Sequence, residues 1–133
     1  MEIIADTTVL IDLWRYRKTP RRLADLRAKV GEAAILVPWI TQAEFSRGAL
    51  FKEVSSGALA EFYAAFHLIP FEQTVIDHYC RLWAVMARAG RAPDYPDLWI
   101  AACAAAAKIP VLTRNPNHFA DIPDLKVISY RIA

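Results

Sequence analysis

The chain opens on a short apolar run, Ile3-Ile4-Ala5, that gives way to a polar Asp6-Thr7-Thr8 before apolar positions resume at helical spacing from Val9. A buried strand feeding directly into a helix from Val9 to about Tyr16 accounts for both halves of the pattern. After Pro20 a basic helix is predicted to Val30 with Gly31 as its stop, and Ala33 to Val37 reads as a second strand. Thr41 has the side chain of an N-cap for a helix carrying Glu44, and Ser55 to Phe66 reads as a further amphipathic helix. His67-Leu68-Ile69, closed by Pro70, is a third strand, and Glu72 to about Ala89 is a long helix ending at Gly90. Asp94 opens an alanine-rich helix to Ala107, and Ile109 to Leu112 is a fourth strand. Beyond the turn-rich Asn115-Pro116-Asn117, Leu125 to Ser129 is the last strand.

Strands that alternate with helices, with connections far longer than a hairpin, predict a mainly parallel sheet covered on both faces. The expected fold class is α/β, a three-layer α/β/α sandwich around four to five strands. Ligands in such sheets gather beyond the carboxyl ends of the strands, and Asp6 and Thr113 fall just past two of those ends.

At 133 residues and 56% hydrophobic content the chain is expected to form one domain over residues 1–133. Its net charge of +2 is too small to name a partner. The distribution says more: Arg15, Arg17, Lys18, Arg21, Arg22, Arg27 and Lys29 share a segment in which Asp25 is the only acid, either a solvated helical face or a guide for a nucleic-acid backbone. Cys80 and Cys103 lie in helical stretches without close Cys or His spacing, which fits neither a disulfide framework nor a zinc knuckle. No leader-like segment opens the sequence and no apolar stretch approaches a membrane span, so a cytoplasmic protein without membrane contact is expected.

The acidic residues carry the candidate chemistry. Asp6 has a plain reading as the cap of the helix that follows, and Asp94 and Asp97 have one as N-terminal capping residues. Glu44 is flanked by apolar Trp39, Ile40, Ala43 and Phe45, although an exposed helix face also fits it. Together, three carboxylates near strand ends form an oxygen-rich donor set that suits magnesium or manganese and not structural zinc. His67, His78 and His118 are scattered and are assigned no role.

Four short motifs in order resemble the PIN-domain ribonucleases, in particular the VapC-type toxins of toxin–antitoxin pairs. They are Asp6-Thr7-Thr8-Val9-Leu10-Ile11-Asp12, then Thr41-Gln42-Ala43-Glu44-Phe45-Ser46-Arg47-Gly48, then Asp97-Leu98-Trp99-Ile100-Ala101-Ala102, and finally Leu112-Thr113-Arg114-Asn115 followed by His118-Phe119. The resemblance covers nearly the whole chain. It implies a Mg²⁺- or Mn²⁺-dependent endoribonuclease in which Asp6, Glu44 and Asp97 are the metal-site acids and Thr7 and Thr113 their polar supports. It also implies in-line attack of activated water that leaves a 5′ phosphate and a 3′ hydroxyl. Many relatives have a fourth acid where this chain has Asn115, which offers a carbonyl oxygen but no charge; Asp94, one helical turn before Asp97, and Asp121, farther along, are the candidate substitutes. Asn115 or Thr113 is then expected to orient water or phosphate, and Arg114 to contact phosphate.

The same resemblance implies an RNA substrate, a cognate antitoxin, and a homodimer. The antitoxin tail would fill a groove built from some of Trp14, Tyr16, Phe45, Phe51, Phe62, Tyr63 and Phe66, residues that core packing also explains. Two alternatives stand beside this reading. One is a catalytically impaired PIN-like module that binds RNA or protein, suggested by Asn115. The other is a phosphatase with Asp6 as nucleophile, which would want a second Asp at position 8, where the chain has Thr8.

Overall fold

The computed structural model describes residues 1–91 and 94–133. The elements run β1 (Glu2–Ala5), α1 (Thr7–Arg15), a 3-10 turn (Pro20–Leu23), α2 (Ala24–Val30), β2 (Ala34–Pro38), α3 (Trp39–Phe51), α4 (Ser56–Tyr63) and β3 (His67–Ile69). They continue with α5 (Thr74–Arg88), α6 (Tyr95–Ala107), β4 (Val111–Thr113), a second 3-10 turn (Pro116–Phe119) and β5 (Val127–Ser129).

All five strands are parallel, in the order β3-β2-β1-β4-β5. Period-two alternation sorts their side chains to opposite faces. Ile4, Leu36 and Val111 join Val75 and Met86 of α5 and Ile100, Ala101 and Ala104 of α6 on one face. Ile3, Ala5 and Leu112 meet Val9 of α1, Leu23 and Leu26 on the other, where Leu10 and Val37 also pack against Phe45 and Tyr63. The three-layer α/β/α arrangement follows from this partition. The chain leaves β1 for β2 on one side and reaches β4 on the other, so the crossovers reverse between β1 and β4 and a crevice opens at that switch point.

Several boundaries differ from the sequence expectation. Thr41 is not an N-cap: Pro38 ends β2 in an extended conformation and caps α3, which starts at Trp39. A proline here needs no amide hydrogen bond, so strand passes to helix without a linker. Thr41 is instead fully buried, and its hydroxyl donates to the Ala5 carbonyl at 3.0 Å, tying α3 to the end of β1. The helix read from Ser55 to Phe66 ends at Tyr63, although Ser55 does cap it by accepting from the Ala58 amide. The helix after Pro20 begins as a 3-10 turn, and Gly31 closes it at φ 57°, a conformation that glycine adopts without a Cβ clash. The fourth and fifth strands are shorter than expected. Among the described residues no helix is long and apolar enough to cross a membrane.

Candidate active site

Asp6 follows β1 directly, at the switch point, and is only 3% exposed. Its amide donates to the Leu112 carbonyl at 3.1 Å, which carries the β1–β4 ladder one residue past the strand. Its carboxylate is held from three directions. Oδ1 accepts the Thr7 amide at 2.6 Å, and Oδ2 accepts the hydroxyls of Thr8 at 3.0 Å and Thr113 at 2.7 Å. The capping reading and the site reading of Asp6 are therefore compatible: it caps α1 while facing the crevice.

Glu44 approaches from α3, where Thr41 has anchored the preceding turn to β1. Its Oε1 accepts the Thr7 hydroxyl at 2.7 Å, and its Oε2 lies 3.9 Å from exposed Arg47. Asp97 sits in the first turn of α6, and Asp94 stands at the cap position of that helix without making a side-chain cap hydrogen bond. Capping thus leaves the carboxylate of Asp94 unused.

These four acids line one hollow of about 490 Å³ together with Thr7, Thr8, Tyr95, Pro96 and His118. Burial pushes the Asp97 carboxyl up from 3.8 to about 6; the carboxylates of Asp6, Glu44 and Asp94 add to the rise, and His118 opposes it. The His118 Nδ1 is 3.6 Å from Asp97 Oδ2. Among the described residues no three His, Cys, Asp or Glu side chains are drawn tightly enough to cage an ion as they stand. The four carboxylates face one space with only exposed Arg47 at 3.9 Å from Glu44 and His118 at 3.6 Å from Asp97 beside them among the described residues, and their mutual repulsion adds to the larger effect of burial on Asp97. A donor set made only of carboxylate oxygens, with hydroxyls behind two of them, suits a hard divalent cation.

The structure distributes the remaining sequence candidates differently. Thr113 is fully buried beneath Asp6, and Thr7 beside it supports Glu44. Asn115 does not line the hollow; its backbone N–H donates to Thr113 Oγ1 at 3.0 Å. Arg114 turns away as well. Its Nε donates to Asp12 Oδ2 at 2.8 Å, so its charge is spent on a buried carboxylate and not on the hollow. Asp121 pairs with Arg91 at 3.4 Å and lies outside the lining. Asp94 is therefore the fourth acid of the hollow.

Three features escaped the sequence reading. His118 is isolated from the other histidines in sequence, yet the 3-10 turn after β4 brings it to Asp97. Tyr95, 59% exposed, forms part of the lip. Asp12 is fully buried on α1, where it accepts from Arg114 and from the Tyr130 hydroxyl at 2.6 Å. An acid on the buried stripe of an amphipathic helix was the available signal for this last one.

The basic segment splits. Arg22 donates to the Ala133 carbonyl and Lys29 to the Ser129 carbonyl, so both fasten the C-terminal segment. Arg15 and Arg17 instead border a second groove of about 320 Å³, floored by Ile11, Trp14 and Phe45 and reaching Glu44. Phe45 and Tyr63 are core residues, whereas Phe51 is 89% exposed. A further concavity of about 480 Å³, near His78, Arg81 and Lys108, lies at the opposite end of β4, and its only carboxylate is Asp124.

Residues 3–125 match the PIN domain family. Among solved structures, the chain is similar to VapBC2 from Rickettsia felis, bound to a DNA fragment from its promoter, at 22% identity with a TM-score of 0.82, over 98% of this chain and 99% of that one. It is similar to VapBC-1 from nontypeable Haemophilus influenzae at 25% identity and a TM-score of 0.81, over 97% and 98% of the two chains. DNA-bound VapBC from Salmonella typhimurium gives 20% identity and a TM-score of 0.83, over 97% and 98%. No curated protein matches the chain.

Proposed function

The chain belongs to the PIN domain family, and from that premise we propose that it is a metal-dependent endoribonuclease acting as the toxin of a toxin–antitoxin pair. The observation that carries the proposal is the convergence of Asp6, Glu44, Asp94 and Asp97 on one hollow at the β1–β4 switch point. The VapBC assemblies that share this fold support the toxin role and a protein antitoxin as partner. The apolar groove between α1 and α3, with Arg15, Arg17 and Lys52 on its rim, has the character of an antitoxin seat.

Asp6, Glu44 and Asp97 would hold Mg²⁺ or Mn²⁺, with Asp94 supplying the fourth charge. A bound divalent ion neutralises phosphodiester charge and makes water acidic enough to react near neutral pH. The chain's own residues do the rest. Thr8 and Thr113 fix the position of the Asp6 carboxylate through their hydroxyl hydrogen bonds to Oδ2. Thr7 fixes Glu44 in the same way. His118, half exposed beside Asp97, stands where it can donate a proton to a departing oxygen or a hydrogen bond to phosphate.

The test is incubation of the pure protein with single-stranded RNA in Mg²⁺ or Mn²⁺, then with chelator. Cleavage that needs the metal and that Asp97→Asn abolishes is the expected result; unchanged cleavage by that variant overturns the assignment.

A further inference from the structure

Tyr95 is an exposed aromatic side chain set among carboxylates, and nothing in the metal chemistry requires it. It lies between Asp94 and Asp97 in sequence and lines the same hollow while keeping 59% of its surface exposed. Its position is fixed from behind. Trp99, one turn further along α6, meets it edge to face at 6.0 Å between ring centres and 77° between planes, and Tyr79 of α5 does so at 6.2 Å and 69°. Trp99 and Tyr79 in turn stack on each other at 3.9 Å and 13°, and Trp39 buttresses Trp99 at 5.6 Å. Among the described residues no ring stacks in parallel on Tyr95, and more than half of its surface faces solvent.

We infer that Tyr95 is the stacking platform for an unpaired nucleobase next to the phosphate held at the acidic site. The inference rests on the nuclease reading above and names how that site grips its substrate. The carboxylates with their cation take a phosphate and carry no base contact. A neighbouring base needs an apolar face, and an aromatic ring at the lip supplies one. Because the ring is already held by Trp99 and Tyr79, little rotamer freedom is lost when a base lands on it. A base inside a duplex has both faces covered, so the platform selects single-stranded segments and loops over helices. Tyr95 acts on affinity and on strand selection, with no part in proton transfer.

The experiment measures binding of a short fluorescently labelled single-stranded RNA in calcium, and cleavage of the same RNA in magnesium, for wild type, Tyr95→Ala and Tyr95→Phe. Circular dichroism checks the fold and light scattering the mass. Tyr95→Ala is expected to weaken binding and raise KM roughly ten- to a hundredfold with kcat little changed, while Tyr95→Phe stays near wild type. An abasic site scanned along the RNA should cost wild type a similar factor at one position and cost Tyr95→Ala nothing there. Wild-type affinity in Tyr95→Ala overturns the inference, as does an equal loss in Tyr95→Phe or a loss that tracks a change in mass, which would make the ring a contact between copies. If wild type cleaves RNA and Tyr95→Ala has the same KM, the platform fails and the nuclease reading stands. If wild type shows the abasic effect but never cleaves, the platform stands and the nuclease reading fails.

Discussion

Thr113 Oγ1 donates to Asp6 Oδ2 at 2.7 Å, joining the carboxyl ends of two adjacent strands beneath the acidic hollow. The same hydroxyl oxygen accepts the Asn115 amide, so one side chain links strand end, carboxylate and the turn carrying His118. Thr113→Val keeps the shape and removes both bonds. A hydrogen bond to a charged group contributes about 2 kcal/mol, and loss of support behind a metal ligand typically lowers metal affinity roughly tenfold or more. Titration calorimetry with Mn²⁺ should show that loss in Thr113→Val and recovery in Thr113→Ser; equal affinities would mean that the hydroxyl positions nothing.

The Asp97 carboxyl has a pKa of about 6 in the fold against 3.8 ordinarily, because burial and the facing carboxylates disfavour its charge. The folded state therefore holds this proton more tightly than the unfolded state. Its contribution is fully present below about pH 4 and is lost as pH rises through about 6. In chelator at pH 7, Asp97→Asn should be more stable than wild type by roughly 2 kcal/mol, with the two converging toward pH 4. Urea melts across that range test it, and a destabilised Asp97→Asn at pH 7 would contradict the electrostatic account. Mg²⁺ should then raise the wild-type Tm more than that of the variant.

Asp12 is wholly buried, and its Oδ2 takes both Arg114 and Tyr130 while Oδ1 has no partner among the described residues. Such a carboxylate depends heavily on the donors it has. Tyr130→Phe should lower stability by roughly 2 kcal/mol, and Arg114→Met by more, because the second change leaves a buried anion without a counter-charge. The pair should be strongly non-additive in a double-mutant cycle, since both act on one oxygen. Additive losses in denaturant melts would show that the two donors work separately.

Lys108 closes α6 in the left-handed region, φ 57° and ψ 44°, where a Cβ is strained. Lys108→Gly should raise stability by about 0.5–1 kcal/mol after the greater freedom of glycine in the unfolded chain is counted, a gain of a few degrees in Tm. The residue lies at the end of β4 away from the acids, so RNA cleavage should not change; a fall in Tm would refute the strain argument.

The alternation of elements and the layers were legible because Ile3-Ile4-Ala5 and Ala34 to Val37 are apolar runs too short for helices and separated by helical spacing, whereas the order of the strands in the sheet was not. Helix starts were less so. Thr41 resembles a cap by type, but its hydroxyl is worth more to the buried Ala5 carbonyl than to its own helix, and no local pattern reveals a partner 36 residues away. In the site, Asp6, Glu44 and Asp97 could be named from motif order, and the structure brings them together. Arg114 was placed by the same logic at the hollow, yet its side chain turns to Asp12, because a motif fixes the backbone position and not the direction of the side chain. Asp94 is legible only as a substitute, His118 only as a motif position without a role, and Tyr95 not at all, since their relevance depends on how the turn after β4 and the start of α6 face each other.

The contact between Asp6 and Thr113 spans 107 residues of sequence, and Asp97 follows Asp6 only after two strand crossovers, β1 to β2 and β2 to β3. A polypeptide still emerging from the ribosome displays Asp6 and Glu44 long before α6 and β4 exist to complete the hollow. Because strands that pair across such separations form late, the acidic centre is among the last parts of the molecule to assemble. Synthesis thus carries a built-in delay: a half-made chain has the first two acids and no competent centre.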